Sequence, residues 1–412
     1  MASDLPNHVL EDIFLHLEDA ADLARASAAC ASFRRVVSND RFLCRFRSRH
    51  RRPVLGLLEN QGGGKIGFYP IQSPRRSSLA AGACAEAADF TFGFIPGPKC
   101  CWRVRDARDG RVLLSRYKRL WHALNRRPPL LVVCDPLHRR HVEIPPIPDD
   151  LLDAAASTEH GGAPDRPTRP FFAPAPAADE EVDELSFLVI CNALSVTKLV
   201  AFTFSSASGQ WRAVVSFSNP NYVLKNLCSL WFRQPAHGLF YWTNFSETFM
   251  LVLDTREMKF FVISDIPHKS YGQSKLVVEA AGEGRLGLLL LLEDKLELYS
   301  RAWQGNNGGV VVPEPADQEW RHDKTIPMFA GLWNLSGTAN GYAFLRWLPR
   351  DHVELWAEAH YFTVDLKTLL VERLCVLEFS NVSKFLYASF PPPLSPPTHS
   401  AMRCHFGGGA LS

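Results

Sequence analysis

The hydrophobic pattern of the chain changes near residue 50. In the first segment, apolar residues fall at Leu5, Val9, Leu10, Ile13, Phe14 and Leu17. This helical spacing predicts an amphipathic helix with one apolar stripe. Shorter helical patterns follow at residues 22–30, 32–37 and 40–46. We therefore predict a small helical domain over residues 1–50.

We expect this helical domain to have too little core to be stable alone, because units of about 50 residues or fewer bury little apolar surface. Ser3 or Asp4 is placed to cap its first helix, and Pro6 suits the first turn. The apolar residues at the start of the domain suit insertion into a groove on a partner. The alternative is that they pack against the rest of the same chain.

After Pro53 the pattern becomes a series of short strand-like segments separated by turn residues, with no convincing helix longer than ten residues. This series favours a sandwich, barrel or propeller. The fold class we predict is mostly β with a small α N-terminal domain. The predicted strands lie at residues 54–58, 67–69, 90–94, 112–114, 130–134, 141–144, 185–191, 198–204, 211–217, 238–242, 248–253, 260–263, 276–279, 284–292, 295–299, 339–347, 361–364 and 370–377.

A weak repeat runs through this β region. An apolar strand, an aspartate, a turn and a second strand recur around Asp135, Asp254 and Asp365, and residues 202–211 form a looser copy. The spacing fits a unit of about 50 to 60 residues, which is about one four-stranded propeller blade. The aspartate has a local role, because its carboxylate accepts hydrogen bonds from backbone N–H groups and opens the turn.

Two regions interrupt the series. Residues 145–184 are rich in Pro, Ala, Asp and Glu, and we predict a disordered insertion there. Residues 303–325 resemble a shorter loop, and the Pro- and Gly-rich residues 391–412 predict a disordered tail. The predicted β domain therefore covers residues 51–390.

Composition narrows the possible functions. The chain has 412 residues, 46% of them hydrophobic, and a formal net charge of +2, which points neither to nucleic acid nor to a membrane surface. The most hydrophobic run, Leu286 to Leu292, is too short to span a bilayer. The start lacks the pattern of a secretory signal, so we expect reduced cysteines and a cytoplasmic or nuclear location, or both.

The helical segment resembles a known family. Leu5-Pro6, Val9-Leu10, Ile13-Phe14 and Leu17 are followed by Asp22-Leu23, Cys30, Phe33 and the closing Phe42-Leu43 in the order and spacing of the F-box. Ala29 and Phe33 depart from the usual residues but keep their sites apolar. The β remainder resembles, more weakly, the propeller-like F-box-associated regions of plant receptors.

The resemblance implies a substrate-recognition subunit of an SCF-type, cullin–RING ubiquitin ligase without a catalytic site of its own. Its partners would be the Skp-type adaptor and an unknown target protein held by the β domain, and it would need no cofactor and no metal. The implied adaptor-binding residues, some of which also build the core of the domain, are Leu5, Pro6, Val9, Leu10, Ile13, Leu17, Leu23, Cys30, Phe33 and Phe42.

The β region is also compatible with two other functions. A propeller interaction module outside ubiquitination is the alternative, and a propeller-fold hydrolase would need converging carboxylates. The recurrence of Asp135, Asp254 and Asp365 in equivalent turns favours turn architecture instead. Gly62-x-Gly64-x-x-Gly67 lacks the strand and helix of a dinucleotide site, and His138 with His141 are too few ligands for zinc. Six arginines between Arg41 and Arg52 favour a solvated surface over a localisation signal.

Overall fold

The computed structural model of the chain describes nineteen segments. They are residues 5–17, 20–50, 53–61, 64–73, 77–97, 102–116, 130–156, 167–173, 186–194, 198–218, 233–243, 249–255, 257–267, 274–280, 285–302, 319–339, 341–350, 358–380 and 382–388. The predicted tail at 391–412 lies outside them, as do Ser3 and Asp4.

The predicted N-terminal helices are present. The described residues contain α1 (Asn7–Phe14), α2 (Ala20–Ala29), α3 (Ala31–Val37), α4 (Asp40–Arg49), α5 (Ser78–Ala87) and α6 (Asp149–Ala156). Pro6 is the residue that caps α1 and does not lie in its first turn. At α4, the side chain of Asn39 accepts a 3.1 Å hydrogen bond from the Phe42 backbone N–H, which satisfies a donor that the helix itself leaves open.

Helices α1–α4 enclose a core of their own. Its centre is aromatic: the Phe14 ring meets Phe33 edge-on at a centroid distance of 5.1 Å and Phe42 at 6.4 Å. A 2.8 Å ion pair between Arg45 Nη1 and Glu11 Oε2 joins α4 to α1 at the surface. The buried residues of this core are Leu10, Phe14, Leu15, Leu23, Val36, Phe42 and Phe46.

The β region is a six-bladed propeller. Its strands are β1 (Val54–Asn60), β2 (Ile66–Pro70), β3 (Trp102–Arg108), β4 (Arg111–Arg116), β5 (Leu131–Asp135), β6 (Arg140–Ile144), β7 (Pro167–Phe172), β8 (Leu188–Leu194), β9 (Lys198–Ser205), β10 (Gln210–Ser218), β11 (Arg233–Ala236), β12 (Leu239–Thr243), β13 (Met250–Asp254), β14 (Lys259–Ile263), β15 (Lys275–Glu279), β16 (Arg285–Leu291), β17 (Lys295–Ala302), β18 (Arg321–Pro327), β19 (Leu332–Ala339), β20 (Tyr342–Leu348), β21 (Glu358–Asp365), β22 (Val371–Glu378) and β23 (Lys384–Ala388). Each group of four from β3 to β22 forms one antiparallel sheet, and β1, β2 and β23 form the sixth.

The first strand of each four-stranded blade, and β23 in the closing blade, lies at the centre of the ring. β3 contacts β7 and β23, β11 contacts β15 and β19, and β19 contacts β15 and β23. The ring closes where the last described strand joins the first, with Leu57 opposite Leu386 and Glu59 opposite Lys384 in antiparallel register. In this closing blade α5 packs against β1 and β2, and buries Ala81 and Cys84 there.

The middle strands of the blades carry most of the apolar core. Every residue of β5, β12 and β13 is buried, and six of the seven residues of β16 are. Blades pack face to face, so a middle strand is covered on both sides and needs apolar residues at consecutive positions. These are the strands that the hydrophobic runs predicted.

The three repeated aspartates open equivalent turns, as predicted. Each ends the third strand of its blade, and its carboxylate accepts hydrogen bonds from the following turn. Asp135 accepts from the backbone N–H of His138 at 3.0 Å, and Asp254 accepts from that of Glu257 at 3.1 Å. Asp365 accepts from Lys367 and Thr368 at 2.8 and 2.9 Å.

Three predictions about the β region were wrong in part. Residues 90–94 form a turn, in which Asp89 accepts from the backbone N–H groups of Thr91 and Gly93. The insertion predicted as disordered contains α6 and β7, because Ile147, Phe171 and Phe172 are buried against neighbouring strands. The second predicted loop ends earlier than expected, since β18 starts at Arg321.

Candidate functional site

The first helix presents apolar side chains on two sides. Leu10 and Phe14 face the domain core, whereas Leu5 and Ile13 are 41% and 47% exposed. Val9 and Ile13 are spaced four residues apart, which aligns them along one side of α1, and Leu5 and Pro6 lie exposed just before the helix begins. We call Leu5, Pro6, Val9 and Ile13 the outer stripe. Val9 is partly buried and the other three are exposed, so the outer stripe is an apolar surface that this domain leaves largely uncovered.

The predicted adaptor-binding residues therefore separate into three groups: the outer stripe, residues buried in the core and residues at the edge of the core. Leu10, Leu23 and Phe42 are buried in the helical core and offer no surface to a partner. Leu10 was predicted to contact the adaptor, and the structure corrects this. Helix α1 packs on α3 with the side that carries Leu10 and Phe14, so the Leu10 side chain is buried inside the domain. Leu23 and Phe42 were predicted to belong to either the core or the interface, and their burial places them in the core.

Three further predicted residues lie at the edge of that core. Leu17 and Phe33 are partly buried and pack against it. Cys30, also partly buried, precedes α3, and its Sγ lies 3.1 Å from the hydroxyl of Ser32. The hydrogen bond with Ser32, followed by one with the Phe33 backbone, lowers the pKa of the Cys30 thiol.

The weaker chemical signals have structural roles where they are described. His138 Nδ1 lies 2.6 Å from Asp135 Oδ2, within the turn that follows β5. Within the described segments, no three His, Cys, Asp or Glu side chains are grouped to hold a metal ion. Lys65 is followed directly by strand β2 and not by a helix, as a dinucleotide loop would require. None of the described helices is both long and apolar enough to cross a membrane.

The closing blade contains a buried ion pair. Lys384 Nζ on β23 lies 2.7 Å from Glu59 Oε1 on β1, and both side chains are more than 90% buried. Glu59 also accepts hydrogen bonds from the hydroxyls of Tyr69 and Ser380. Burial raises the pKa of Glu59, but these hydrogen bonds and the charge of Lys384 outweigh it and hold the pKa below its usual range. Burial lowers the pKa of Lys384, and Glu59 offsets part of that effect.

Sequence reasoning missed a cavity on the propeller axis, bounded by β3, β11, β19 and β23. The one signal in the sequence was β3, where Arg103 and Arg105 alternate with Trp102 and Val104. That alternation was not assigned to a strand.

A cluster of aromatic residues lies at the surface of the β19–β22 blade. Phe329 and Leu332 are exposed, and the Phe329 ring lies 4.8 Å from Trp333 and 5.2 Å from Trp347, measured between centroids. Both indole N–H groups donate to backbone carbonyls, of Phe329 and Ala330. The cluster is therefore held in place with its polar groups satisfied and its apolar side outward.

The comparisons with known proteins agree with this division of the chain. A family model described as F-box-like matches residues 2–49. No curated protein matches the chain. Among solved structures, a prolyl endopeptidase aligns with 11% identity and a TM-score of 0.33, covering 91% of this chain and 55% of its own. A putative 6-phosphogluconolactonase from Bacteroides fragilis aligns with 9% identity and a TM-score of 0.35, covering 81% and 98%.

YCF48 bound to D1 peptide aligns with 8% identity and a TM-score of 0.34, covering 78% of this chain and 82% of that one. This chain spans little more than half the length of the prolyl endopeptidase. At these scores the likenesses carry no argument about function.

Proposed function

The chain carries an F-box-like domain followed by a six-bladed β-propeller, and we propose that it is the substrate-recognition subunit of an SCF-type ubiquitin ligase. The F-box-like domain would dock on the Skp-type adaptor, and the propeller would hold the target protein. The combination fits a non-catalytic receptor.

The outer stripe is the observation that carries this proposal. Leu5, Pro6, Val9 and Ile13 form an apolar surface on a small domain whose core already contains Leu10 and Phe14. Burying such side chains against a groove is favourable by about 25 cal/mol per Å² of apolar area. A helix that enters a groove through residues spaced four apart is a recurrent mode of protein recognition.

A receptor of this kind accelerates ubiquitin transfer without making or breaking a bond. Its two domains hold the adaptor and the target in one complex, which raises the effective concentration of target lysines near the ubiquitin-loaded enzyme. The carboxylates of Asp135, Asp254 and Asp365 accept hydrogen bonds from backbone N–H groups of their turns. This supports a structural role for them and not a catalytic one.

We place target recognition on the propeller, where the Phe329 cluster is an exposed aromatic surface. Interfaces draw most of their binding energy from a few buried residues, among which Trp is enriched. Trp333 and Trp347 are partly buried and contact the exposed Phe329 ring, so the cluster is an ordered surface suited to that use.

The test is direct binding between the full chain and a purified Skp-type adaptor. We expect submicromolar affinity for the wild type and at least a hundredfold loss for Ile13→Asp, since a carboxylate placed in an apolar groove is desolvated without a partner. The matched control is Leu79→Asp on α5, which adds the same charge at an apolar helical residue that is 86% exposed.

The control should bind like the wild type, and both variants should keep the wild-type circular dichroism spectrum. A folded wild type that does not bind the adaptor would overturn the ligase role and favour a propeller interaction protein outside ubiquitination. Equal losses in Ile13→Asp and Leu79→Asp would show that the outer stripe is not the docking surface.

A further inference from the structure

The propeller encloses a cavity on its axis with a volume of about 640 Å³. This lies within the range of small-molecule sites, about 300 to 1,000 Å³. Its walls come from the inner strands β3, β11, β19 and β23, together with Phe240, Phe344 and Tyr361 from neighbouring strands. It is separate from the outer stripe, which lies on the helical domain.

Cationic side chains outnumber carboxylates in the wall of this cavity. Asp106 and Asp109 are the carboxylates that line it, and Asp106 is engaged in accepting hydrogen bonds from the backbone N–H groups of Ala107 and Phe172. Lys384 is neutralised by Glu59 behind the wall. The cationic lining residues are Arg103, Arg105, Arg108, Arg346 and Lys384. Confinement in a low-dielectric wall strengthens the attraction of such a group for an anion.

Arg346, on β20, lines the cavity with a guanidinium group that is not fully hydrogen-bonded. In the parts of the chain that the structure describes it forms no ion pair, and its guanidinium carbon lies 5.1 Å from the centroid of the Phe379 ring. Its Nε is buried without a hydrogen-bond partner among the described residues. A buried guanidinium N–H left in this way is costly unless something else accepts from it.

Two hydroxyl groups in the wall of the cavity are also buried without a hydrogen-bond partner among the described residues. They are Tyr361 Oη and Thr338 Oγ1. Arg346 on β20 lies directly opposite Tyr361 on β21 in the antiparallel register, so their side chains share one side of the sheet. Phe344 stacks on Tyr361 at a centroid distance of 5.6 Å and offers an apolar surface beside them.

We propose that the axial cavity binds a compact phosphorylated small molecule, with the Arg346 guanidinium pairing with its phosphate and the Tyr361 hydroxyl donating to it. A guanidinium suits this because its planar fork donates two parallel hydrogen bonds to a phosphate. The excess of cations selects a ligand with two or more negative charges. This site does not depend on the ligase role, since no residue of the helical domain contributes to it.

The test uses inorganic pyrophosphate as the probe and the full chain, at constant ionic strength. We expect the thermal unfolding temperature to rise with pyrophosphate to a plateau, and calorimetry to give a single site. Arg346→Gln should weaken binding at least tenfold. The matched control is Arg350→Gln, which removes the same charge from an exposed side chain outside the cavity.

A second variant keeps the proposal testable if Arg346→Gln fails to fold. Tyr361→Phe removes only the hydroxyl, which has no described partner, so the folded protein should lose no stability while pyrophosphate binds several-fold more weakly. The proposal is overturned if the wild type is not stabilised by pyrophosphate. It is overturned equally if Arg350→Gln weakens binding as much as Arg346→Gln does, or if Tyr361→Phe binds like the wild type.

Discussion

The helical domain and the propeller treat their apolar residues in different ways. In α1, Leu10 and Phe14 are buried while Ile13, like Leu5 just before the helix, remains exposed, because a single helix layer covers only one side. In the propeller, each middle strand lies between two neighbouring blades, and β12 and β13 are buried throughout. The small domain therefore leaves apolar surface exposed, whereas the propeller directs polar residues to its axis. The two parts differ accordingly in which mutations they tolerate.

The largest expected effect is the unfolding of the helical domain alone by Phe42→Ala. Phe42 is fully buried at the centre of a core of seven residues, and such truncations cost about 3 to 5 kcal/mol. A domain of this size has little stability to lose. Hydrogen exchange should show loss of protection in α1–α4 and wild-type protection in the propeller strands.

Adaptor binding should be lost in the same variant, although Phe42 is fully buried inside the domain. A matched control is Ile13→Ala, which removes an exposed apolar side chain from α1 and should leave hydrogen exchange unchanged. If Phe42→Ala lost protection in both domains, the helices and the propeller would unfold as one cooperative unit. That result would contradict the difference drawn here between the two domains.

The second largest expected effect is a loss of propeller stability when the ion pair of the closing blade is broken. In Lys384→Met the buried carboxylate of Glu59 loses its cation, and removing one partner of a buried pair costs about 3 to 5 kcal/mol. Hydroxyls of Tyr69 and Ser380 still donate to Glu59, so we expect the lower end of that range. Chemical denaturation should show a less stable propeller, with adaptor affinity unchanged.

The double variant Glu59→Gln/Lys384→Met tests whether the lost stability comes from the unpaired charge of Glu59. Removing both charges should restore part of the stability lost in Lys384→Met, because no unpaired charge then remains buried. A double variant less stable than either single variant would contradict this account of the closing blade.

The same contrast explains which strands could be predicted from the sequence. Middle strands such as β13 and β16 are runs of apolar residues, and all of them were predicted. Inner strands face a polar cavity, so β3 carries arginines and β11 contains Gln234 and Pro235 at positions where a buried strand would be apolar. The inner strands β3, β7, β11, β19 and β23 were missed, as was the largely exposed outer strand β18.

The sequence likewise predicted only part of the candidate site. Periodicity identified the apolar residues of α1, but Val9-Leu10 and Ile13-Phe14 form two adjacent stripes with the same spacing. Only packing against α3 decides that Leu10 and Phe14 point inward, while Ile13 is exposed and Val9 is partly buried. The cations of the axial cavity come from strands far apart in sequence, so no local pattern could bring Arg103 and Arg346 together.

The smallest expected effect concerns the turns that the blades repeat. Asp365 accepts hydrogen bonds from two backbone N–H groups, of Lys367 and Thr368, in an exposed turn that water also reaches. Asp365→Ala should therefore cost only about 1 kcal/mol of unfolding free energy, since water replaces part of what the carboxylate supplied. Asp365→Asn keeps an acceptor oxygen and should cost less. If either change abolished target ubiquitination at unchanged stability, the aspartate would be a binding residue and the turn explanation would be wrong.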